Sequence, residues 1–168
     1  MREVTRWGST IGKAAAGSRY RAGEGRWERK VEKIMDIAGR MLETHPEDPG
    51  GDLRDKIAAC IDACIACAQA CTSCADACLA EEDVTPLAEC VRLNLDCADL
   101  CEVTGRVLSR GPQGQREWLR SLVEACAQVC AACAAECAGH ADHHEHCRVC
   151  AEACRRCESA CRELLAVL

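Results

Sequence analysis

The sequence CIDACIACAQACTSCADAC, residues 60 to 78, contains six cysteines at successive intervals of 4, 3, 4, 3 and 4 residues. Intervals that alternate between three and four average 3.5 residues, which places the side chains on one face of an α-helix. The run contains neither glycine nor proline, and alanine, the best helix former, fills many of its other positions. This stretch is therefore predicted to be an α-helix with a stripe of thiols along one face.

The composition of the chain indicates that these thiols are buried. Eighteen of the 168 residues are Cys, Phe is absent, and Trp and Tyr together number four. A protonated thiol packs as a small hydrophobic group. Cysteine, with Ala, Leu and Val, must therefore build the core of a chain that is long enough to form one domain. The core is also the candidate functional site.

A high cysteine content also suits a secreted, disulfide-rich protein. The least polar stretch near the start of the chain, GSTIGKAAAG at residues 8–17, lacks the long apolar run of a signal peptide. Helical residues three or four apart hold their Cβ atoms about 5 to 6 Å apart, whereas a disulfide needs about 3.5 to 4.5 Å. Disulfides between helices remain an alternative, but we expect reduced thiols in the cytoplasm.

Residues 1–34 differ in composition from the rest of the chain. They contain nine Lys or Arg, four Asp or Glu and five Gly, and they are predicted to form a disordered basic extension. The whole chain has a net charge of −6, so the other residues carry −11. This acidic balance disfavours nucleic acid as a partner. Residues 35–168 are predicted to be the folded, metal-binding domain.

Breaks in the hydrophobic pattern divide this domain into helices. A short amphipathic stretch, VEKIMDIAGRMLET at residues 31–44, precedes the turn-rich EDPGG at residues 47–51. Four longer helices are predicted at about 52–80, 86–109, 115–138 and 145–166. Short connections make consecutive helices antiparallel. The predicted fold is all-α, an antiparallel four-helix bundle with a cysteine-lined core, preceded by a short N-terminal helix.

All four long helices carry a cysteine stripe. The candidate metal-binding cysteines are Cys60, Cys64, Cys67, Cys71, Cys74, Cys78, Cys90, Cys97, Cys101, Cys126, Cys130, Cys133, Cys137, Cys147, Cys150, Cys154, Cys157 and Cys161. If every stripe faces inward, the interior is a tube of sulfur about 27 Å long, at 1.5 Å per residue. Asn94 occupies the position that would complete the stripe of the second long helix. It either fixes the register, as buried Asn does in coiled coils, or acts near a metal.

One end of this tube is predicted to be closed by aliphatic side chains. Beyond the last cysteines the stripes continue into Leu53, Ile57, Leu108, Leu119, Leu122, Leu164 and Leu165. The short first helix, with Met35, Met41 and His45, arrives at the same end and is expected to cover it.

The opposite end of the tube is predicted to be a metal entrance. His140 and His144 continue the stripe of the third long helix, and His143 and His146 lie beside them in sequence. Neutral imidazole is a good ligand for copper and zinc, and it also accepts protons. The alternative is a polar loop that caps helices.

The ligand chemistry favours Cu(I) over other metals. Thiolate sulfur selects soft ions, Cu(I) first and then zinc or iron–sulfur clusters. Zinc prefers four tetrahedral ligands, which long helical stripes supply poorly. The CxxCxxCxxxCP run of bacterial ferredoxins is absent from the sequence. Cu(I) accepts two or three sulfurs, and each ion that displaces one proton leaves the core neutral. Many Cu(I) ions per chain are expected.

Other functions are less well supported by the sequence. It shows no Ser/His/Asp grouping and no phosphate loop, so the protein is predicted not to be an enzyme. A thiol-redox or disulfide-exchange protein would need a few exposed cysteines of low pKa. A zinc or iron–sulfur binding protein is the other alternative.

Three segments resemble the bacterial copper storage proteins, and more closely the cytosolic type: CAQACTSCADACL (67–79), LNLDCADLC (93–101) and HEHCRVCAEACRRCESAC (144–161). The resemblance covers about residues 41–168. It implies a four-helix bundle that assembles as a homotetramer and holds many Cu(I) ions.

The resemblance also implies a set of ligands. By motif match, His140, His144 and His146 join the cysteines as copper ligands, whereas His143 is not expected to be one. The sequence therefore predicts a cytosolic Cu(I) storage and detoxification protein with copper ions as its partner, and with neither a membrane nor nucleic acid as a partner.

Overall fold

The computed structural model describes residues 36–111 and 117–168. The helices are α1 (Ile37–Glu43), α2 (Gly51–Leu79), α3 (Ala88–Leu108), α4 (Glu117–His140) and α5 (Glu145–Leu165), with a 3-10 turn at Thr85–Leu87 before α3. The described residues contain no β-strand. The all-α prediction is confirmed, and the bounds of the four long helices agree with the predicted ones to within two residues. The predicted extension over residues 1–34, and Met35, lie outside the described residues.

The four long helices form a closed ring around a common interior. Helix α2 packs against α3 and α5, and α4 packs against the same two helices. Sulfur contacts show that neighbouring helices run antiparallel. Cys60 near the start of α2 meets Cys161 near the end of α5, and Cys78 at the end of α2 meets Cys90 at the start of α3. The four stripes therefore face one another along the whole bundle.

The turn before α2 depends on two glycines with positive φ. Gly50 has a φ of 67° and Gly51 a φ of 53°, a region that glycine enters without steric penalty. The Asp48 carboxylate accepts a hydrogen bond from the Gly50 N–H at 2.9 Å and one from Arg54 at 2.9 Å. This turn lets α2 begin abruptly after α1.

The core of the bundle is made mainly of cysteine. All eighteen cysteine side chains are between 0% and 2% exposed, so every predicted stripe faces inward.

Small residues allow the helices to approach closely. A Cβ atom placed on Gly105 in α3 would lie 3.4 Å from Cβ of Cys64 in α2, a contact at the tight end of the normal range.

The aliphatic end of the bundle contains most of its predicted buried residues among the described part of the chain. Four of the seven predicted side chains are buried, one from each long helix, and these are Ile57, Leu108, Leu119 and Leu164. Val123 is also fully buried there, in the turn between Leu119 and the first cysteine of α4, and was not predicted. The other predicted residues, Leu53, Leu122 and Leu165, are only partly buried.

Helix α1 contributes a side chain other than the predicted ones. Leu42 is 2% exposed and belongs to the core, whereas Met41 is 64% exposed. The expectation that Met41 covers the end of the tube is therefore wrong, because α1 turns the next residue toward α2. His45 is partly buried and accepts a hydrogen bond from the Glu47 N–H at 3.1 Å.

Helices α2 and α4 are long and apolar enough, by length and composition, to cross a membrane. This is weak evidence, because a core helix of a water-soluble bundle has the same properties. In both helices the cysteines are buried against the other helices of the bundle.

We predict that the aliphatic end contributes strongly to the stability of the metal-free protein. Leu108→Ala should lower the free energy of unfolding by about 2–5 kcal/mol, because it leaves a cavity in a packed layer. Leu95→Ala on the same helix should change it by about 0.5 kcal/mol or less, since Leu95 is 49% exposed. Urea denaturation of the reduced apo protein measures both, and equal losses would contradict this account of the closed end.

Candidate metal centre

The thiols of the four helices form a network of close sulfur contacts. Sγ–Sγ distances fall between 3.4 Å, for Cys101 and Cys130, and 4.0 Å, for Cys67 and Cys130. A disulfide would require about 2.05 Å, and all eighteen cysteines are free thiols. The described part of the chain therefore contains no disulfide between helices, and this alternative is not supported.

Most of these thiols fall into groups that are able to hold a metal ion. Within each group the ligand atoms all lie within 4.8 Å of one another. Four such groups are Cys64, Cys101, Cys126 and Cys157; Cys67, Cys97, Cys101 and Cys130; Cys67, Cys71, Cys97 and Cys154; and Cys71, Cys133, Cys150 and Cys154. Successive groups share members, so one thiolate is placed to bridge two ions. The arrangement suits a chain of soft ions better than separate tetrahedral zinc sites.

Burial disfavours the charged form of these thiols when no metal is present. Removal from water disfavours the charged thiolate, and together with the nearby Cys78 sulfur it raises the pKa of Cys147 to about 12. A core of thiolates without counter-ions would be very costly. Any metal that enters must therefore displace protons as it binds.

Asn94 lies among the thiols and is fully buried. Its Nδ2 donates to the Cys90 carbonyl oxygen at 2.8 Å, and its Oδ1 accepts from the Cys150 thiol at 3.0 Å and the Cys133 thiol at 3.4 Å. The amide thus ties α3 to α4 and α5, which agrees with the register role. Its oxygen also lies within reach of a metal held by those two thiols, so both predicted roles are compatible with the geometry.

Thr104 is a second buried polar residue on the stripe of α3. It lies one turn beyond Cys101, between the last thiol of that helix and the aliphatic end. Its hydroxyl has no hydrogen-bond partner among the described residues. Thr104 was not among the predicted residues, although its spacing from Cys101 continues the stripe.

His146 lies directly at the end of the thiol tube. Its Nδ1 is 3.4 Å from Sγ of Cys74 and 3.4 Å from Sγ of Cys147. With Cys78 these residues form a further group whose ligand atoms lie within 4.8 Å of one another. Among the predicted histidine ligands, His146 has the most direct contact with the thiols.

Two of the other histidines contact carboxylates. Nδ1 of His144 contacts a carboxylate oxygen of Glu81 at 2.9 Å, and Nε2 of His140 contacts Glu136 at 3.2 Å. His143 is exposed. We call His140, His144, His146 and their two carboxylate partners the mouth. Neither Glu81 nor Glu136 was predicted from the sequence to belong to the site.

Glu81 contacts two histidines of the mouth at once. The same oxygen, Oε1, lies 2.9 Å from Nδ1 of His144 and 3.2 Å from Nε2 of His146. Hydrogen bonds from these two imidazoles lower the pKa of the Glu81 carboxyl. Glu81 could have been identified from the sequence as a residue at this end of the tube. It follows Cys78 by three residues and so continues the spacing of the α2 stripe.

This chain is similar in sequence and in structure to known proteins. Residues 53–166 match the family described as Csp, copper storage protein. The copper storage protein Ccsp from Streptomyces lividans, loaded with 10 copper equivalents, is 55% identical, with a TM-score of 0.75 over 79% of this chain and 100% of that one.

Two further solved structures are also similar. A structure of a cytosolic copper storage protein from Streptomyces lividans with five coppers is 58% identical, with a TM-score of 0.69 over 71% of this chain and 99% of that one. The Cu(I)-bound copper storage protein BsCsp3 of Bacillus subtilis is 37% identical, with a TM-score of 0.57 over 63% of this chain and 94% of that one.

Proposed function

The chain belongs to the copper storage protein family, and from that premise we propose that it is a cytosolic, non-enzymatic protein that stores and detoxifies Cu(I). The observation that carries the proposal is the continuous network of eighteen free, buried thiols. Such a network offers soft ligands along the whole bundle and exposes almost none of them to solvent. Copper bound there is kept away from other thiols and from oxidants.

Loading follows from the chemistry of the buried thiols. Each entering Cu⁺ replaces the proton of one thiol, which leaves as H⁺, so the charge of the core does not change. The overlapping groups let one thiolate bridge two ions, as between the groups that share Cys67 and Cys97. The bundle therefore needs no large rearrangement to fill progressively. We propose that all eighteen cysteines are copper ligands.

The mouth supplies the route by which copper enters and leaves. His146 shares a four-ligand group with Cys74, Cys78 and Cys147, so it can pass an ion to the first thiols. His140 and His144 are only partly buried and can meet copper from solvent. The opposite end is sealed by the aliphatic layer. We therefore assign these three histidines to entry and release.

Self-association is also part of the proposal. A groove of about 410 Å³ lies between the outer faces of α2 and α3 and includes Ile65, Ala98 and Gly105. Ile65 is 60% exposed, and most of the other residues that line the groove are polar or charged. A large apolar side chain with polar neighbours resembles the core and rim of a protein interface. A second copy of the chain in this groove, within the homotetramer that the family resemblance implies, is the occupant we propose.

The first test is an anaerobic titration of the reduced apo protein with Cu(I), in competition with a chromophoric chelator. We expect about one ion per thiol, because the sulfur network allows bridging, and the chain has eighteen thiols. About half that number would mean isolated thiol pairs. Binding of about one to four ions only, or zinc or iron in the protein purified from cells, would contradict copper storage.

A second test concerns the mouth. Replacing His140, His144 and His146 together with alanine should slow copper loading and release while leaving the capacity nearly unchanged, because the thiols hold most of the metal. Stopped-flow transfer from a Cu(I)–chelator complex measures both quantities. His143→Ala is the matched control, since His143 is exposed at the same end. Unchanged kinetics in the triple variant would contradict the entry role.

A third test concerns assembly. Ile65→Glu should convert a tetramer into smaller species, because a carboxylate in an apolar interface loses its hydration without gaining a partner. Val149→Glu on α5 is the control, since Val149 is also exposed but lies outside the groove. Light scattering coupled to gel filtration gives the masses. A monomeric wild type, or a tetrameric Ile65→Glu variant, would refute this interface.

A further inference from the structure

One carboxylate joins both histidines that flank the start of α5. Glu81 lies two residues beyond the end of α2, and its Oε1 contacts His144 through Nδ1 and His146 through Nε2. The two imidazole rings have centroids 5.4 Å apart and planes tilted by 41°. Glu81 therefore contacts the δ nitrogen of one imidazole ring and the ε nitrogen of the neighbouring ring.

These contacts determine which nitrogen of each ring carries the proton. A neutral imidazole has one N–H donor and one bare nitrogen, and an ionised carboxylate is an acceptor only. Hydrogen bonding to Glu81 therefore places the proton of His144 on Nδ1 and that of His146 on Nε2. The bare nitrogen of His146 is then Nδ1, the atom that lies 3.4 Å from the sulfurs of Cys74 and Cys147.

We propose that Glu81 is a positioning residue that holds His144 and His146 in opposite tautomers, so that the bare Nδ1 of His146 faces the first thiols. This inference rests on the proposed function, in which His146 is a ligand at the entrance. Metal-binding histidines usually donate their second ring nitrogen to a carboxylate, and loss of that partner typically costs about 10–100-fold in affinity or activity.

Other carboxylates near the mouth do not have this role. Glu136 contacts His140 on the same helix, four residues away. Glu145 pairs with Arg148 instead. Glu82 is exposed and has no hydrogen bond to a mouth histidine in the described part of the chain. Glu81 is therefore the carboxylate whose loss should change the tautomer of His146.

The first measurement uses the protein without copper. Nitrogen-15 NMR of histidine-labelled apo protein distinguishes protonated from bare ring nitrogens. We expect the Nε2–H tautomer for His146 in the wild type and in Glu82→Ala, and a mixture of tautomers in Glu81→Ala. If His146 carries its proton on Nδ1 in the wild type, or if Glu81→Ala leaves its spectrum unchanged, the proposal is overturned, whatever the protein does with copper.

The second measurement is copper loading by stopped flow. Glu81→Ala should slow the loading rate by about 10-fold or more with no loss of capacity. Glu81→Gln, which keeps an oxygen acceptor, should restore part of the rate, and Glu82→Ala should load as the wild type does. Adding Glu81→Ala to the double variant His144→Ala/His146→Ala should cause no further slowing, because both of its imidazole partners are then absent.

The outcomes separate this inference from the proposed function. Normal loading in Glu81→Ala, beside slow loading in His146→Ala, would overturn the role of Glu81 alone. Further slowing when Glu81→Ala is added to the double histidine variant would show that Glu81 does not act through His144 and His146, and would also overturn it. A wild type that binds only a few copper ions would refute the storage function, and the tautomer measurement would still decide the role of Glu81.

Discussion

The structure depends on the cost of placing charge in a dry core. Eighteen thiols meet inside one bundle, and as thiolates without metal they would repel one another in a medium that solvates them poorly. Two neutral forms avoid this cost, the protonated thiol and the thiolate bound to a monovalent ion. A core built in this way can fold empty, because thiols then pack as small hydrophobic groups. The same feature that allows folding also reserves the interior for Cu(I).

The antiparallel arrangement makes the two ends of the bundle chemically different. Each long helix contributes aliphatic residues to one end, including Ile57 and Leu164. At the other end α4 finishes at His140 and α5 begins after His144. The short loop between these helices therefore gathers imidazoles over the sulfur tube. This difference between the ends supports the proposed entry and release of ions at the histidine end.

The hydrogen bonds at the mouth have more to do with orientation than with stability. The side chains of Glu81 and its two histidines are between 23% and 36% exposed, and ion pairs near the surface contribute little to folding. Their directional effect is larger, because a hydrogen bond selects which ring nitrogen is bare. Asn94 has a comparable role deeper in the core, where its amide oxygen and nitrogen meet thiols of three helices.

The sequence by itself determined which residues share a face. Intervals of three and four specify a helical stripe, so the helices, the inward thiols, the aliphatic end and the cluster of histidines were all predictable. Distances across the bundle were not, because they depend on how far each helix slides and how closely it approaches its neighbours, as Gly105 permits. Only the tertiary structure therefore decided which thiols form groups, that Leu42 replaces Met41 in the core, and that Glu81 meets two histidines.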